Sequence, residues 1–219
     1  MAAGEGRRLR PLTERYAKPV LPIDGRPVIV GVLHELQRAG VERITVVTGR
    51  LAGQVEGLLA GFPAELRFVR QPEPLGGADA VRVAALEPPY VVAGADTQFT
   101  RGDVAAFVER ARAFDNAVAV RPRAEAPSRD RIKVDGEVVA QFDNDDPDDP
   151  TTGAPLWLVG PTAHRHLALL TGPPYELKEA FRGAQDGGAR TGAIRIGPTR
   201  DLTDPFDLIE ENFGYLKVL

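Results

Sequence analysis

Short runs of β-forming apolar residues alternate with segments of helical period along most of the chain. Between positions 27 and 39, apolar residues recur at helical spacing until Gly40 ends the pattern. The elements predicted next are strand 44–48, helix 51–60, strand 66–69, helix 78–86, strand 90–93, helix 102–114 and strand 117–121. This alternation predicts an α/β fold with a mainly parallel sheet between two layers of helices.

The second half of the chain has a more mixed pattern. Residues 132–139 form a predicted hairpin with Asp135-Gly136 at its turn. The elements predicted after it are strand 155–159, helices 161–170 and 176–184, strand 191–196, and helix 205–213 with Asp204 as its cap. The acidic stretch 143–149 is predicted to be a solvated loop. With 219 residues and no linker, the chain is expected to form one domain, 1–219.

Composition excludes several classes of protein. No apolar run approaches the roughly 20 residues that span a bilayer, and the N-terminus lacks the apolar stretch of a signal peptide. There are no cysteines, so disulfides and thiolate metal sites are excluded. A net charge of -4 with dispersed basic residues argues against polymeric nucleic acid. The expectation is a cytoplasmic protein without a membrane partner, and assembly into a homo-oligomer is left open.

The N-terminus combines glycines with arginines. The segment from Gly4 to Arg10 contains two glycines and three arginines, which suits backbone N–H groups and guanidinium groups around phosphate oxygens. A frayed basic terminus would have the same composition. Only four of the 27 basic residues are lysines, and one of them is Lys18. A compact ammonium suits a point contact to phosphate, although a surface lysine is the alternative.

The stretch AAGEGRRLRPLTERYAKPVLPIDGRPVI resembles the signature of sugar-1-phosphate nucleotidyltransferases. In that signature, a Gly-x-Gly-x-Arg loop is followed by Pro-Leu-Thr and then by Lys-Pro. The resemblance implies a Rossmann-like nucleotide-diphospho-sugar transferase fold. It also implies that Arg8 and Lys18 bind phosphate, and that Ala3, Gly4 and Gly6 let the backbone approach the triphosphate.

A second segment, from Gln71 to Ala80, has an amide side chain, a proline-stiffened turn and two glycines before a helix. Taken alone, such a segment is more often an ordinary loop. It is similar to the Gln-Pro-x-Pro-x-Gly-x-Ala-x-Ala segment of glucose-1-phosphate thymidylyltransferases. That similarity implies that Gln71 and Gly76 contact the base, and it favours a pyrimidine nucleotide, dTTP or UTP.

Two aspartates are candidate metal ligands. Asp96 follows strand 90–93 and so lies at the end of a strand where open α/β sheets bind ligands, although a lone aspartate is also a common turn cap. Its surroundings resemble the family's Gly-Asp-Thr segment, with Ala95 in place of glycine. Asp201 begins a segment similar to the family's Asp-Ile-Gly-Thr-Pro-x-Asp-Leu motif. The resemblance implies that Asp96 and Asp201 bind Mg²⁺, since Mg²⁺ in phosphate sites takes one or two carboxylates.

The predicted acceptor side departs from the family pattern. The family's Glu-Lys-Pro corresponds to Asp143-Asn144-Asp145, so the lysine expected at the sugar phosphate is missing. Arg131 or Lys133 is the suggested replacement. The three histidines offer no catalytic set, because His164 and His166 are two apart in a predicted helix and face different directions.

The expected activity is transfer of a nucleotidyl group from a nucleoside triphosphate to a sugar 1-phosphate. Arg8, Lys18, Asp96 and Asp201 are the expected catalytic residues, and Mg²⁺ is the expected cofactor. The alternatives are a non-catalytic nucleotide-binding relative, such as a regulatory subunit, and an enzyme for another phosphorylated alcohol. A loop of this kind should follow a strand, yet Met1 stands where its end is expected. We expect either a truncated start or a gap in the sheet, and favour the first.

Overall fold

The computed structural model describes residues 1–122, 131–146 and 148–217, and within these ranges it contains twelve strands and eight α-helices. The strands are β1 (Pro22–Ile23), β2 (Arg26–Pro27), β3 (Arg43–Thr48), β4 (Glu65–Arg70), β5 (Tyr90–Ala93), β6 (Thr97–Gln98), β7 (Asn116–Pro122), β8 (Ile132–Asp135), β9 (Val138–Phe142), β10 (Thr151–Val159), β11 (Thr191–Arg195) and β12 (Arg200–Asp201). The helices are α1 (Leu12–Arg15), α2 (Val28–Arg38), α3 (Ala52–Leu59), α4 (Gly77–Ala84), α5 (Asp103–Ala111), α6 (Pro161–Leu167), α7 (Leu177–Asp186) and α8 (Pro205–Leu216). Two 3₁₀ turns, Arg7–Leu9 and Lys18–Val20, lie near the N-terminus.

The central sheet is mixed in direction. Six strands are ordered β5-β10-β7-β11-β9-β8, and β3 pairs with β4 in parallel beside them. Only β9 and β10 run against the other strands of these two sheets in the described part of the chain. The predicted α/β class with a mixed, mainly parallel sheet is therefore confirmed. None of the described helices is long and apolar enough to cross a membrane.

Strand β7 shows why the domain has three layers. Its residues 117 to 120 are fully buried, as expected for a strand covered on both faces. Ala117 and Ala119 belong to the core shared with α2, α3 and α5. Val118 and Val120 belong to the core shared with α4, α6 and α7. Alternation along one strand thus builds a hydrophobic core on each side of the sheet.

Three predicted boundaries or environments were wrong. Strand β10 begins at Thr151 rather than 155, and its register with β7 shifts between Gly153 and Trp157, around a proline that cannot donate to the ladder. Helix α8 continues to Leu216 from the predicted cap, where the Asp204 carboxylate accepts hydrogen bonds from two backbone N–H groups. The acidic stretch is not wholly solvated, because Asn144 is buried and donates to Asp149 over 2.8 Å. Pro147 lies outside the described residues.

The first two residues lie between β3 and β5. The Ala2 N–H donates to the Val47 carbonyl over 2.8 Å, and Ala2 forms a parallel bridge with Thr48. On the other side, the Met1 ammonium donates to the Ala93 carbonyl over 2.6 Å. The Met1 carbonyl accepts from Ala95 N–H over 3.0 Å. The chain therefore enters the N-terminal glycine-rich loop from within the sheet.

The stability of this arrangement should depend on pH. Burial lowers the pKa of the Met1 ammonium from 8.0 to about 6, and the Asp96 carboxylate opposes this shift only in part. Between these values the unfolded chain binds more protons than the folded chain, so the free energy of unfolding should rise with pH from about 6 to 8. The expected gain is up to about 2–3 kcal/mol, measured by urea unfolding. A chain acetylated at the Met1 nitrogen should lose this component of the pH dependence. Identical pH profiles for the two chains would contradict the prediction.

Candidate active site

The glycine-rich loop curls back on itself at Gly6. Gly6 has φ +61°, and a Cβ there would lie 2.8 Å from the Thr13 Cγ2 atom. The Thr13 hydroxyl donates to the Gly6 carbonyl over 2.8 Å. Leu9 is fully buried and anchors the far end of the loop. Only glycine suits this positive φ and close approach, so the loop has a defined shape before any ligand binds.

Arg8 lies in the turn that follows this loop, and it is exposed. Within the ranges that the structure describes, its guanidinium has neither a hydrogen bond nor an ion pair. Within those ranges, Arg8 is therefore not joined to Lys18, Asp96 or Asp201 by a hydrogen bond or an ion pair. Gly4 is likewise open, because a Cβ built on it would meet nothing within 4 Å. Ala3 packs against Gly49, whose Cβ would lie 2.7 Å from the Ala3 carbonyl oxygen.

Two side chains of the next segment hold the loop region in place. Arg50 donates to the carbonyls of Thr13 and Glu14 over 3.0 and 3.2 Å. Gln54 accepts from Ala17 N–H over 2.8 Å and donates to the Arg15 carbonyl over 2.7 Å. Sequence reasoning missed both residues, because nothing in the pattern around α3 separates them from ordinary polar positions. They fix the backbone on either side of Tyr16 and thus the approach to Lys18.

Lys18 and Asp96 form an ion pair. Lys18 starts the second 3₁₀ turn, and Asp96 follows β5 at the carboxyl end of that strand. The Lys18 side chain is 15% exposed and that of Asp96 is 36% exposed. The prediction that these residues share one site is consistent with this contact. A half-open pair of this kind leaves the carboxylate accessible to a ligand from solvent.

Asp201 is held firmly beside this pair. Strand β12 pairs with β6, with Asp201 opposite Thr97, the residue after Asp96. One Asp201 carboxylate oxygen accepts from the Thr97 hydroxyl over 2.5 Å. The other accepts from the Thr199 hydroxyl over 2.9 Å and from Arg121 Nη1 over 2.5 Å. Backbone pairing therefore brings the segments of the two predicted metal ligands together.

The two aspartates have the chemistry of a Mg²⁺ site that is completed by substrate. Mg²⁺ is typically bound by one or two carboxylates, substrate phosphates and water. A carboxylate has about four lone-pair positions, so the three hydrogen bonds to Asp201 leave room for one ligand bond. Asp96 is accessible from solvent. In residues 1–122, 131–146 and 148–217, no cluster of three or more His, Asp or Glu residues could hold a metal by itself.

Arg121 was missed by sequence reasoning although a signal existed. It stands near the end of β7, and strand ends at this edge of the sheet also position Asp96. The Arg121 side chain is 21% exposed, and its guanidinium contacts the carboxylate of Asp201, whose side chain is 26% exposed. Its charge lies beside a predicted metal ligand. Applying the strand-end argument to every strand would have identified it.

The predicted base-binding segment is also ordered. Gln71 is buried, and its backbone N–H donates to the Thr48 carbonyl over 2.8 Å. Its side-chain N–H₂ donates to Asp79 over 2.7 Å and to the Gly76 carbonyl over 3.2 Å. A carboxylate only accepts, so the Asp79 contact fixes which end of the amide is nitrogen. The Gln71 Oε1 atom has no donor among the described residues.

Gly76 connects this segment to α7 and the N-terminus. It has φ +116°, and a Cβ would lie 2.5 Å from the Tyr175 carbonyl oxygen. A Cβ on the next residue, Gly77, would lie 3.8 Å from the Met1 sulfur. The segment that contains Gln71 thus lies against the residues that lead into the glycine-rich loop.

Replacing Gly76 with alanine should disturb both the fold and the site. The new Cβ would require a strained backbone and would collide with a backbone carbonyl, which can move only with the chain. We expect the free energy of unfolding to fall by about 2–4 kcal/mol, measured by urea denaturation. Gly57→Ala is the matched control, because a Cβ there meets nothing within 4 Å and its helix should gain up to about 1 kcal/mol. Equal stabilities of the two variants would refute the argument.

The acceptor side contains a lysine that the sequence did not indicate. Lys178 donates to Asp143 over 2.6 Å, and Arg182 donates to the other oxygen of that carboxylate over 3.4 Å. Arg131 and Lys133, which the sequence suggested as replacements for the missing lysine, have different surroundings from Lys178. Arg131 donates to the carbonyls of Asp145 and Asp146, and Lys133 is exposed. Lys178 is 35 residues from Asp143, so only the packing of α7 reveals the contact.

Fold and candidate site together define an α/β protein with a glycine-rich N-terminal loop and two aspartates that lie near strand ends. Residues 1–143 match the nucleotidyl transferase family, and the chain belongs to that family. The family expected from the N-terminal signature is thus confirmed.

Individual relatives agree with this assignment. N-acetylmuramate alpha-1-phosphate uridylyltransferase of Neisseria meningitidis serogroup B is 33% identical over 118 residues, which cover 53% of this chain and 51% of the relative. A glucose-1-phosphate thymidylyltransferase of Streptomyces antibioticus is 33% identical over 87 residues, covering 38% of this chain and 24% of the relative. The chain thus matches about half or less of these curated relatives. A UDP-glucose pyrophosphorylase solved with UDP-glucose superposes with a TM-score of 0.83 at 21% identity, covering 100% of this chain and 97% of that one, which shows the shared fold.

Proposed function

We propose that this protein transfers a nucleotidyl group from a nucleoside triphosphate to a sugar 1-phosphate and releases pyrophosphate. The observation that carries the proposal is the Lys18–Asp96 pair, which lies next to the segment of Asp201. Lys18 also lies beside the glycine-rich loop, because a Cβ on Gly6 would lie 3.5 Å from the Lys18 Cβ atom. A cation, two carboxylates and open backbone N–H groups are the groups that phosphoryl chemistry requires.

In the proposed reaction, an oxygen of the sugar phosphate attacks the α-phosphorus of the nucleotide. A new oxygen–phosphorus bond forms, and the bond from the α-phosphorus to the oxygen bridging to the β-phosphate breaks. Pyrophosphate leaves with that electron pair. The attacking phosphate is already ionised at neutral pH, so no general base is needed and positioning with charge neutralisation dominates.

The residues of the chain have separate tasks in this reaction. Lys18, which pairs with Asp96, would also reach the phosphates and neutralise charge on the departing pyrophosphate. Arg8, which is exposed, would bind the same phosphates, and Gly4 and Gly6 would let backbone N–H groups reach them. Asp96 and Asp201 would hold Mg²⁺, which when bound neutralises phosphate charge and orients both phosphates. Arg121 keeps Asp201 in position.

The nucleotide is proposed to be a pyrimidine, dTTP or UTP. Asp79 fixes the Gln71 amide so that Oε1 is left as an acceptor. An acceptor matches the N3–H donor of thymine and uracil. The names of the two curated relatives, a uridylyltransferase and a thymidylyltransferase, support the same choice and a sugar 1-phosphate as acceptor.

A matrix of triphosphates against sugar 1-phosphates, with Mg²⁺ present, tests the proposal. Pyrophosphate release should require both substrates and should be fastest with dTTP or UTP. Calorimetry on the same panel distinguishes the alternative function. Nucleotide binding without turnover for every acceptor would contradict the proposal and would favour a non-catalytic binding protein.

A further inference from the structure

Helix α8 presents an apolar stripe to solvent. Of the eight large hydrophobic side chains that are exposed among the described residues, five belong to this helix. Four of the five form the stripe, and each is between 54% and 74% exposed: Phe206, Ile209, Phe213 and Leu216. At 3.6 residues per turn, these four side chains fall within an arc of about 80° on the helix surface. One face of α8 is therefore apolar, and no described residue covers it.

A different face of α8 attaches the helix to the rest of the domain, largely through polar groups. The buried Asn212 donates to the Pro22 carbonyl over 2.9 Å and accepts from Gly25 N–H over 2.9 Å. Glu211 forms an ion pair with Arg200. Surface helices of globular proteins normally bury their apolar stripe and expose their polar face. In α8 this arrangement is reversed, which leaves the stripe for contact with another molecule.

The stripe is large enough for a small dimer interface. With about 200 Å² for a fully exposed side chain of this size, the four exposed fractions amount to roughly 450 Å². That area lies among the largest apolar patches of ordinary monomers, about 300–600 Å², which are often functional. Two such stripes in contact would remove roughly 900 Å² of apolar surface from water. With the polar atoms around them, the total reaches the lower limit of specific interfaces, about 1,000–1,200 Å².

The order of side chains along the stripe is complementary to itself in an antiparallel pair. With a two-fold axis beside position 211, Phe206 lies opposite the partner's Leu216, and Ile209 lies opposite the partner's Phe213. Each aromatic ring then packs against an aliphatic side chain in every layer. A parallel pair would instead place ring against ring. Antiparallel helices also bring the positive end of each helix dipole beside the negative end of the other.

We propose that the α8 stripe is the interface of a homodimer in which two copies of this chain pack α8 antiparallel about a two-fold axis near position 211. Such a contact uses the same surface of both copies and closes after two. The small area predicts a Kd in the micromolar range, because association costs translational and rotational freedom. Glu210 is exposed beside the stripe and close to the axis, so it lies near the partner's Glu210. This like-charge contact marks the register.

Sedimentation equilibrium of the full chain tests the proposal. Between about 1 and 200 µM, the average mass should rise from the monomer value of 23.6 kDa toward twice that value. Ile209→Glu and Phe213→Glu should each raise the Kd of the dimer by at least about 10-fold, because each places a charge in an apolar contact. Leu169→Glu is the matched control, because Leu169 is 68% exposed and lies just beyond α6, away from α8. It should leave the Kd unchanged.

Single cysteines test the register, because the chain has no cysteine of its own. In the proposed dimer, the two copies of position 210 are about 3 Å apart along the helix axes, and the two copies of position 205 are about 18 Å apart. A short bis-maleimide should therefore link Glu210→Cys into a covalent dimer and leave Pro205→Cys monomeric. In a parallel pair, both variants would be linked. Glu210→Gln should lower the Kd by about 2–5-fold, because it removes the like-charge contact.

Urea unfolding of each variant separates the interface from the fold, and exposed positions should leave the unfolding curve unchanged. If a glutamate variant is destabilised, Ile209→Ser and Phe213→Ser provide the same test. A constant monomer mass, a dimer that both substitutions leave intact, or equal cross-linking at positions 205 and 210 would overturn the proposal. Binding of α8 to phosphatidylcholine–phosphatidylglycerol vesicles without self-association would also overturn it. None of these measurements uses nucleotide, so they are independent of the proposed function.

Discussion

The Asp96→Asn variant is expected to release pyrophosphate at a rate reduced by about 10²–10³-fold. Asparagine keeps the size of the side chain but has no charge. It therefore binds the Lys18 ammonium and Mg²⁺ much more weakly than the aspartate carboxylate does. The free energy of unfolding should change by less than about 1 kcal/mol, because the pair is partly exposed. Rates with saturating nucleotide and acceptor, together with a urea unfolding curve, measure both quantities.

The control for this variant is Asp135→Asn, at the exposed turn between β8 and β9. It makes the same chemical change away from the candidate site and should leave the rate unchanged. An Asp96→Asn rate within a factor of three of the unmodified protein would remove Asp96 from the active site.

Lys18→Ala is expected to lower kcat/KM for the nucleotide by about 10²–10³-fold. The substitution removes the cation that we assign to the leaving pyrophosphate, and it leaves Asp96 without its partner. Lys18→Arg should restore only part of the activity, because a planar guanidinium does not replace a compact ammonium in the same space. Initial rates over a range of nucleotide concentrations separate the effects on kcat and KM.

Lys217→Ala removes an exposed lysine at the C-terminal end of α8 and is the matched control. It should have the kinetics of the unmodified protein. If Lys18→Ala instead raises only KM and leaves kcat unchanged, Lys18 contributes to ground-state binding and not to departure of pyrophosphate.

Local patterns were sufficient to predict most of the fold. Strand β5 was predicted with its observed bounds, and α2 differs from its prediction by one residue at each end. Apolar periodicity and capping residues are local signals, so one sequence contains them. The start of β10 was wrong because Thr151 and Thr152 are polar by type but buried by their pairing with β7. That pairing is a tertiary contact.

The site was predictable where one chain segment contains the signal. Lys18 lies in the N-terminal signature, and Asp96 follows the predicted strand 90–93. In the structure the two side chains form an ion pair. The strand-end position of Arg121 could have marked it as a candidate, but its pairing with Asp201 was not predictable. Arg121 is 80 residues from Asp201 and Thr97 is 104 residues from it, and no local pattern links them. Strands β6 and β12 have two residues each, too few for a periodic signal. The Lys178–Asp143 contact likewise depends on packing between separate elements.

The central claim is that an acceptor phosphate oxygen attacks the nucleotide at its α-phosphorus. Incubation of the protein with Mg²⁺, dTTP or UTP, and glucose 1-phosphate labelled with ¹⁸O in its phosphate group tests this claim directly by mass spectrometry. The predicted result is a nucleoside diphosphate sugar that retains all of the label and pyrophosphate that contains none. Label in the pyrophosphate, or no nucleoside diphosphate sugar with this or any other sugar 1-phosphate, would contradict it.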